Sequence, residues 1–239
     1  MKRLAIIFVA LALSSCGNKI SENSHAEKKP PAAEIIGQEI TYPELGVSFS
    51  VPTGIQVVQQ NWGNNPQEPT LYVMVQSFDD LDDAEKARFM MDKKGAIERA
   101  ESLKAGKPVA ISWAKQDTLQ IVHHGESDGI MGLVLSAVEV CDVQFTWQAE
   151  LYTHDSVIGM NLVYPKEKLI EAVPEYFMTN SSGCGEERVW NFDDNAPDKF
   201  IDNLQKGQLP ATLLGWKDVF SKILSSVQLN KKASSEASK

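Results

Sequence analysis

The fold is decided by a stretch near the middle of the chain, Val143-Gln144-Phe145-Thr146-Trp147-Gln148-Ala149-Glu150-Leu151-Tyr152. Apolar and polar residues alternate along it almost perfectly, a period of two that is typical of a β-strand with one buried face. The neighbouring segments that also predict strands are Val109–Trp113, Thr118–Val122, Leu133–Cys141 and Val157–Tyr164. Short polar connections join all of these segments, so we expect them to pair antiparallel as a meander.

The rest of the central region adds strands before the meander and helices on both sides of it. Further strands are predicted at Gly46–Pro52, Ile55–Gln59 and Leu71–Phe78. Helices are predicted at Ala84–Lys94, Ala96–Ala105, Lys166–Phe177, Pro197–Leu204 and Trp216–Val227, several of them with an apolar stripe at spacings of three and four. This order predicts an α+β fold with a single antiparallel β-sheet covered by helices, an α/β/α sandwich.

The two ends of the chain differ in composition from this central region. Residues 16–38 include polar and proline-rich stretches without an apolar period, so we expect a flexible tether. Residues 231–239 contain only Lys, Ser, Ala and Glu and should be disordered. The 239 residues therefore divide into a leader at 1–15, the tether, one α+β domain at 39–230 and a short tail.

The leader is predicted to be a secretory signal. A charged Met1-Lys2-Arg3 start is followed by ten apolar residues, Leu4–Leu13, too few to span a bilayer, which needs about 20. The junction Leu13-Ser14-Ser15-Cys16 resembles the lipobox of bacterial lipoproteins. The alternative is an ordinary signal peptide or membrane anchor that contains a cysteine.

The lipoprotein resemblance implies a modification and a location. Residues 1–15 would be cleaved, and Cys16 would carry a diacyl group on its sulfur and an acyl group on its new amino terminus. The covalent lipid on Cys16 is then the membrane partner, and the domain faces the periplasm. Gly17 follows the cysteine where an aspartate would suggest inner-membrane retention, so we expect outer-membrane sorting if the organism has two membranes.

Charge limits the possible partners. The formal net charge is −9, and removal of Lys2 and Arg3 with the signal peptide lowers it by two to −11. An acidic chain without a basic stripe repels phosphate backbones, so nucleic acid is excluded as an expected partner. The acidity serves solubility, or alternatively forms an acidic docking surface.

The cysteines that remain after lipidation are Cys141 and Cys184. In the oxidising compartment that the signal implies, two thiols tend to form a disulfide. We therefore expect a structural Cys141–Cys184 bond, with two separate buried thiols as the alternative.

The ends of the domain carry a second resemblance. The opening Tyr42-Pro43-Glu44-Leu45-Gly46-Val47-Ser48-Phe49-Ser50-Val51-Pro52 is similar to the start of Mog1/PsbP-like domains. The closing Ile223-Leu224-Ser225-Ser226-Val227-Gln228-Leu229 is similar to their last helix and strand. Ile55 stands where a tryptophan is usual in that family. The resemblance implies a binding or assembly factor rather than an enzyme.

One motif suggests a catalytic site. Gly125-Glu126-Ser127-Asp128-Gly129 has the letters of a nucleophile elbow, with Asp142 as acid and His154 as base in the required chain order. That chemistry needs a strand-to-helix turn at the serine, whereas strand-like residues follow here. Asp128-Gly129 favours a hairpin turn instead, so Ser127 is predicted to be structural.

The sequence gives little support for a metal site. His123 and His124, with Glu126 and Asp128 nearby, would point to opposite faces of a strand and could not easily share an ion. The run Asp79–Asp83 lacks the residue spacing of a calcium loop and suits the start of a helix. No metal or cofactor is therefore expected.

The tryptophans are scattered along the chain. Trp147 and Trp216 fit core positions, while Trp62 and Trp190 lie in predicted loops and could line a ligand cleft. Together these observations predict a lipid-anchored envelope protein acting as a non-catalytic binding or assembly module. The alternatives are a serine hydrolase using Ser127 and His154, and a purely structural envelope tether.

Overall fold

A computed structural model describes residues 37–43, 46–59, 66–77, 98–107, 109, 114–124, 127–135, 143–153, 156–179 and 187–229. All of them belong to one compact unit, residues 35–239. The strands are β1 (Gly37–Tyr42), β2 (Val47–Pro52), β3 (Gln56–Val58), β4 (Thr70–Ser77), β5 (Gln120–His124), β6 (Ser127–Val134), β7 (Thr146–Tyr152), β8 (Ser156–Val163), β9 (Phe177–Thr179), β10 (Arg188–Trp190) and β11 (Gln228–Leu229). The helices are α1 (residues 98–104), α2 (Lys166–Ala172), α3 (Ala196–Gln205), α4 (Ala211–Leu214) and α5 (Trp216–Ser226).

The largest sheet has six strands in the order β3-β4-β8-β7-β6-β5. The predicted antiparallel meander is confirmed for β5 to β8, which are consecutive neighbours. The strand predicted at Leu133–Cys141 instead lies earlier, at Ser127–Val134, and most of the strand predicted at Val109–Trp113 lies outside the described residues. Thr153 and Ser156 close the turn between β7 and β8, where the Ser156 amide donates to Thr153 Oγ1 at 2.8 Å. Strand β4 then pairs antiparallel with β8.

The α+β class is confirmed, but the expectation of a single antiparallel sheet is wrong. Strands β1, β2 and β11 form a separate three-stranded sheet, and β9 and β10 form a two-stranded one. Within the large sheet β3 pairs parallel to β4. A parallel neighbour needs a connection long enough to return to the same end of the sheet. Residues 59–69 connect the two strands.

A hairpin joins β5 and β6, as predicted, but the predicted position of its turn is wrong. His124 pairs with Ser127, so only residues 125 and 126 separate the strands, and Asp128 and Gly129 belong to β6. Gly129 is required for close approach rather than for a turn. A Cβ there would collide with the backbone oxygen of Glu150 and lie 2.7 Å from Leu151 Cδ2 on β7.

The helix predicted at Lys166–Phe177 is shorter than expected. Helix α2 ends at Ala172, a 3-10 turn follows at Pro174–Tyr176, and Phe177 begins β9. The residue before a proline avoids helical angles, and Val173 has φ −143° and ψ 59°. Helices α3 and α5 are confirmed, as is the helix over Ala96–Ala105, which the structure shows at residues 98–104. The helix predicted at Ala84–Lys94 lies outside the described residues.

One face of the large sheet forms the main core. Trp147, Ala149 and Leu151 of β7 lie opposite Leu162, Met160 and Ile158 of β8, and all six are buried. Helix α5 adds Phe220, Ile223 and Leu224 to the same core. These residues lie three and four positions apart, so one stripe of the helix is buried.

The opposite face of the same sheet carries several polar residues that are buried or half-buried. A row of paired residues crosses four strands there, Tyr72, Asn161, Gln148 and Gly132. Thr146, beside this row on β7, is 0% exposed. Burial raises the pKa of the Tyr72 hydroxyl above its usual value, because the charged phenolate is poorly solvated there.

Candidate binding cleft

A polar cleft of about 350 Å³ opens where two 3-10 turns meet helix α3. The turns are Pro174–Tyr176 and Phe192–Asp194. The lining residues are Glu175, Tyr176, Asp194, Ala196, Lys199, Asp202 and Asn203. This volume lies at the small end of the range for ligand pockets, about 300–1,000 Å³.

Helix α3 supplies one wall through its helical repeat. Ala196, Lys199 and Asn203 follow one another at spacings of three and four, so they share one side of the helix. Phe200 and Ile201 lie on the side that is buried in the core. The amphipathic pattern that docks the helix therefore also turns Lys199 and Asn203 towards the cleft.

An aromatic cluster supports the floor. Tyr176 is only 6% exposed, and its ring meets Phe200 edge-on with the ring centres 5.4 Å apart. Phe200 in turn contacts Trp190, whose indole N–H donates to the backbone oxygen of Leu135 at 2.7 Å. Trp190 also lies against Phe177 with ring centres 4.6 Å apart. These contacts hold Tyr176 in place and make the floor rigid.

The cleft contains hydroxyl, ammonium and carboxylate groups. Asn203 Nδ2 donates to the Tyr176 hydroxyl at 2.5 Å, which leaves the hydroxyl proton available as a donor. Lys199 Nζ lies 3.5 Å from Asp194 Oδ1 across the opening, and Asp202 accepts from Lys206 at 3.2 Å. A ligand would find hydroxyl and ammonium donors beside carboxylate acceptors, which suits a polar or charged group rather than an apolar one.

Outside the cleft, two lysines lower the pKa of the carboxylates to which they donate hydrogen bonds. Lys166, only 7% exposed, donates to Glu187 at 2.8 Å, and this hydrogen bond lowers the pKa of Glu187. Lys115 donates to Asp198 at 3.2 Å and lowers its pKa in the same way. The Asp198 pair joins the segment before β5 to the first turn of α3, on the helix that forms the cleft wall.

The structure places Ser127 at the first position of β6. The chain continues from it as a strand to Val134, whereas a nucleophile elbow needs a helix after the serine. His154 and Asp142 lie outside the described residues, so the arrangement of the three groups is not described.

The two neighbouring histidines are on β5, where His123 pairs with Asp128 and His124 with Ser127. Within the described ranges, no group of three or more His, Cys, Asp or Glu side chains could hold a metal ion. The run Asp79–Asp83 and residue Glu126 lie outside the described residues.

Trp147 and Trp216 are buried, which confirms their predicted core positions. Trp190 is not in a loop but on β10, fully buried in the aromatic cluster, so it supports the cleft from below instead of lining it. Trp62 lies outside the described residues, as do Cys16, Cys141 and Cys184. None of the described helices is both long and apolar enough to cross a membrane.

Sequence reasoning did not identify the cleft residues. The available signal is Pro174, which begins the 3-10 turn that presents Tyr176. The second turn ends at Asn195, whose φ is +53°, a conformation that asparagine tolerates better than most residues. The chain matches no protein-family model, and a search of curated proteins finds no match to it.

Proposed function

We propose that this protein is a lipid-anchored, non-catalytic binding module of the bacterial cell envelope, and that the cleft above Tyr176 engages its partner. The observation that carries the proposal is the cleft itself, a concave site with donors and acceptors on a rigid aromatic floor. Rigid concave sites with a few convergent polar groups are where proteins bind ligands. The partner would present a polar or charged side chain or head group.

The lipid anchor rests on the Leu13-Ser14-Ser15-Cys16 junction and on the tether-like composition of residues 16–38. Two or three acyl chains make a stable anchor, whereas one binds only marginally. Radiolabelled palmitate should enter the wild-type protein and not the Cys16→Ala variant. Equal labelling of both proteins would refute the anchor.

The binding role can be tested by co-purification with crosslinking from solubilised envelope, followed by mass spectrometry. Lys199→Glu reverses a charge at the cleft, whereas Lys107→Glu makes the same change at an exposed position after α1. We expect a partner that is lost with Lys199→Glu and retained with Lys107→Glu. If both variants retain every partner, the cleft is not the binding site. If wild type captures no partner, the structural tether is the better account.

A fluorophosphonate probe, which labels activated serines, distinguishes the hydrolase alternative from the binding module. Because a strand follows Ser127, we expect no labelling of this residue. Labelling of the wild-type protein that disappears in Ser127→Ala would replace the binding module with a hydrolase.

We further propose the Cys141–Cys184 disulfide. Supporting it, Leu135 lies six residues before Cys141, Trp190 lies six residues after Cys184, and these two flanking residues share a hydrogen bond of 2.7 Å. Mass spectrometry of unreduced protein from the periplasm should show one linked peptide pair. Two freely alkylated cysteines would contradict the bond.

The relationship to Mog1/PsbP-like domains and the α/β/α sandwich also remain proposals. The two segments that carry the resemblance are neighbours in space. Strand β11 pairs with β2 through Gln228 and Ser48, and the Ser50 amide donates to Ser226 Oγ at 2.9 Å. An experimental structure that superimposes on that family over the whole domain would support the relationship, and a different strand order would oppose it.

A further inference from the structure

Strand β1 forms the outer edge of the three-stranded sheet. It runs for six residues beside β2, and no described strand pairs with its other side. Its residues are exposed except for Ile40 and Tyr42, which are half-buried and pack against the core. Within the described ranges, β1 therefore presents an unpaired strand edge, and four of its six residues are exposed.

The pairing fixes which backbone groups point outward. The Ser50 amide donates to Ser226 Oγ, and the same hydroxyl lies 3.3 Å from the Ser50 carbonyl, so both groups of Ser50 point away from β1. Glu39 is directly opposite Ser50, which makes this a non-hydrogen-bonded pair. By alternation, the N–H and C=O groups of Gly37, Glu39 and Thr41 point to the free edge.

The other sheet edges in the described part of the chain are shorter or covered. Strand β3 has three residues, β11 has two, and β5 is contacted by α5. Proteins protect long edges with proline, lysine or very short strands. β1 has neither proline nor lysine, and Glu39 is its one charged residue.

Charge indicates what such an edge would accept. No ion pair involves Glu39 among the described residues, and the whole chain has a net charge of −9. Electrostatic complementarity favours a basic partner and disfavours a second copy of this acidic chain.

We propose that the free edge of β1 binds an extended basic segment of another protein by strand addition. The segment pairs with the outward backbone groups of Glu39 and Thr41, and its lysine or arginine side chains lie beside Glu39. Main-chain hydrogen bonds supply affinity in this mode, and side chains supply specificity. This site is separate from the cleft, so either proposal can fail without the other.

The test uses the mature full chain and a blocked eight-residue peptide in which lysine alternates with threonine. A matched peptide replaces lysine with glutamate. Thr41→Pro removes an outward N–H that β2 does not use, whereas Thr41→Val keeps it. We expect the lysine peptide to bind wild type and Thr41→Val alike, and to bind Thr41→Pro at least tenfold more weakly. The glutamate peptide should bind wild type at least tenfold more weakly than the lysine peptide.

Hydrogen exchange on the wild-type protein provides a readout that does not depend on how well Thr41→Pro folds. The amides of Glu39 and Thr41 should become protected when the lysine peptide is added. Unchanged exchange at these amides, or equal peptide binding by Thr41→Pro, would overturn the proposal. A wild-type dimer that dissociates in Thr41→Pro would place a second copy at the edge and would also overturn it.

Discussion

The two faces of strand β7 differ in the residues that build them and in how deeply those residues are buried. On one face Trp147, Ala149 and Leu151 pack into the main core. On the other face Thr146 is buried and Gln148 is half-buried, and their side-chain oxygens have no hydrogen-bond partner among the described residues. The first face is stabilised mainly by packing, although the Trp147 indole N–H has no hydrogen-bond partner among the described residues. The second face combines unpaired oxygens with a hydrogen bond from the Tyr152 hydroxyl to Glu150.

This difference shows that alternation in a sequence identifies the faces of a strand but not their exposure. A buried hydroxyl or amide without a partner costs about 1–3 kcal/mol, whereas each buried apolar side chain contributes about 1.5–3 kcal/mol. We therefore expect removal of a buried apolar group to lower the free energy of unfolding, and removal of an unpaired buried hydroxyl to raise it.

The largest effect is expected on the apolar face. Leu162 is fully buried there, so Leu162→Ala should lower the free energy of unfolding by about 2–5 kcal/mol. Val163 is also buried but points to the opposite face, and Val163→Ala should cost less. Urea unfolding of the two variants provides the comparison. An equal loss would show that the two faces are packed alike.

The next effect concerns the glycines of the sheet. A Cβ at Gly129 would collide with the Glu150 backbone oxygen, so Gly129→Ala should destabilise the fold by about 1–3 kcal/mol. A Cβ at Gly159 would meet Met74 Cε at 3.5 Å, an ordinary contact, so Gly159→Ala should be nearly neutral. Thermal unfolding of both variants checks this difference. A neutral Gly129→Ala would contradict the close approach of β6 and β7.

Two buried threonines differ in whether their hydroxyl is hydrogen-bonded to a described residue. Thr146 has no described partner, so Thr146→Val should raise the free energy of unfolding by up to about 1 kcal/mol. Thr118 Oγ1 donates to the Lys115 carbonyl at 2.6 Å and accepts from the Leu133 amide at 2.9 Å. Thr118→Val should instead cost about 1–3 kcal/mol. If Thr146→Val proves as costly, a water or ligand satisfies that hydroxyl.

The smallest effect is a pH dependence at the surface. Lys115 lowers the pKa of Asp198 in the folded state, so the pair stabilises the fold above the unfolded pKa of the carboxyl. The stabilisation is lost as the pH falls through the lower, folded-state pKa. In an NMR titration, Lys115→Met should raise the pKa of Asp198, whereas Lys107→Met should leave it unchanged. An unshifted Asp198 in Lys115→Met would show that the pair does not form in solution.

The sequence was sufficient for the meander and for most helices, because alternation and helical spacing are local signals. It was not sufficient for the division into three sheets, because pairings such as that of β2 with β11 join residues far apart in the chain. For the same reason, the sequence pattern did not predict the cleft. Tyr176 and Asn203 are brought together only by the packing of α3, and no local pattern connects them.

The central claim is that the cleft above Tyr176 binds an envelope partner, and photo-crosslinking in cells tests it most directly. A photoreactive amino acid at Glu175 lies at the cleft, and one at Glu101 lies on α1, also exposed. We predict a crosslinked adduct from position 175 and none from position 101. An absence of adduct at position 175, or the same adduct from both positions, would contradict the account.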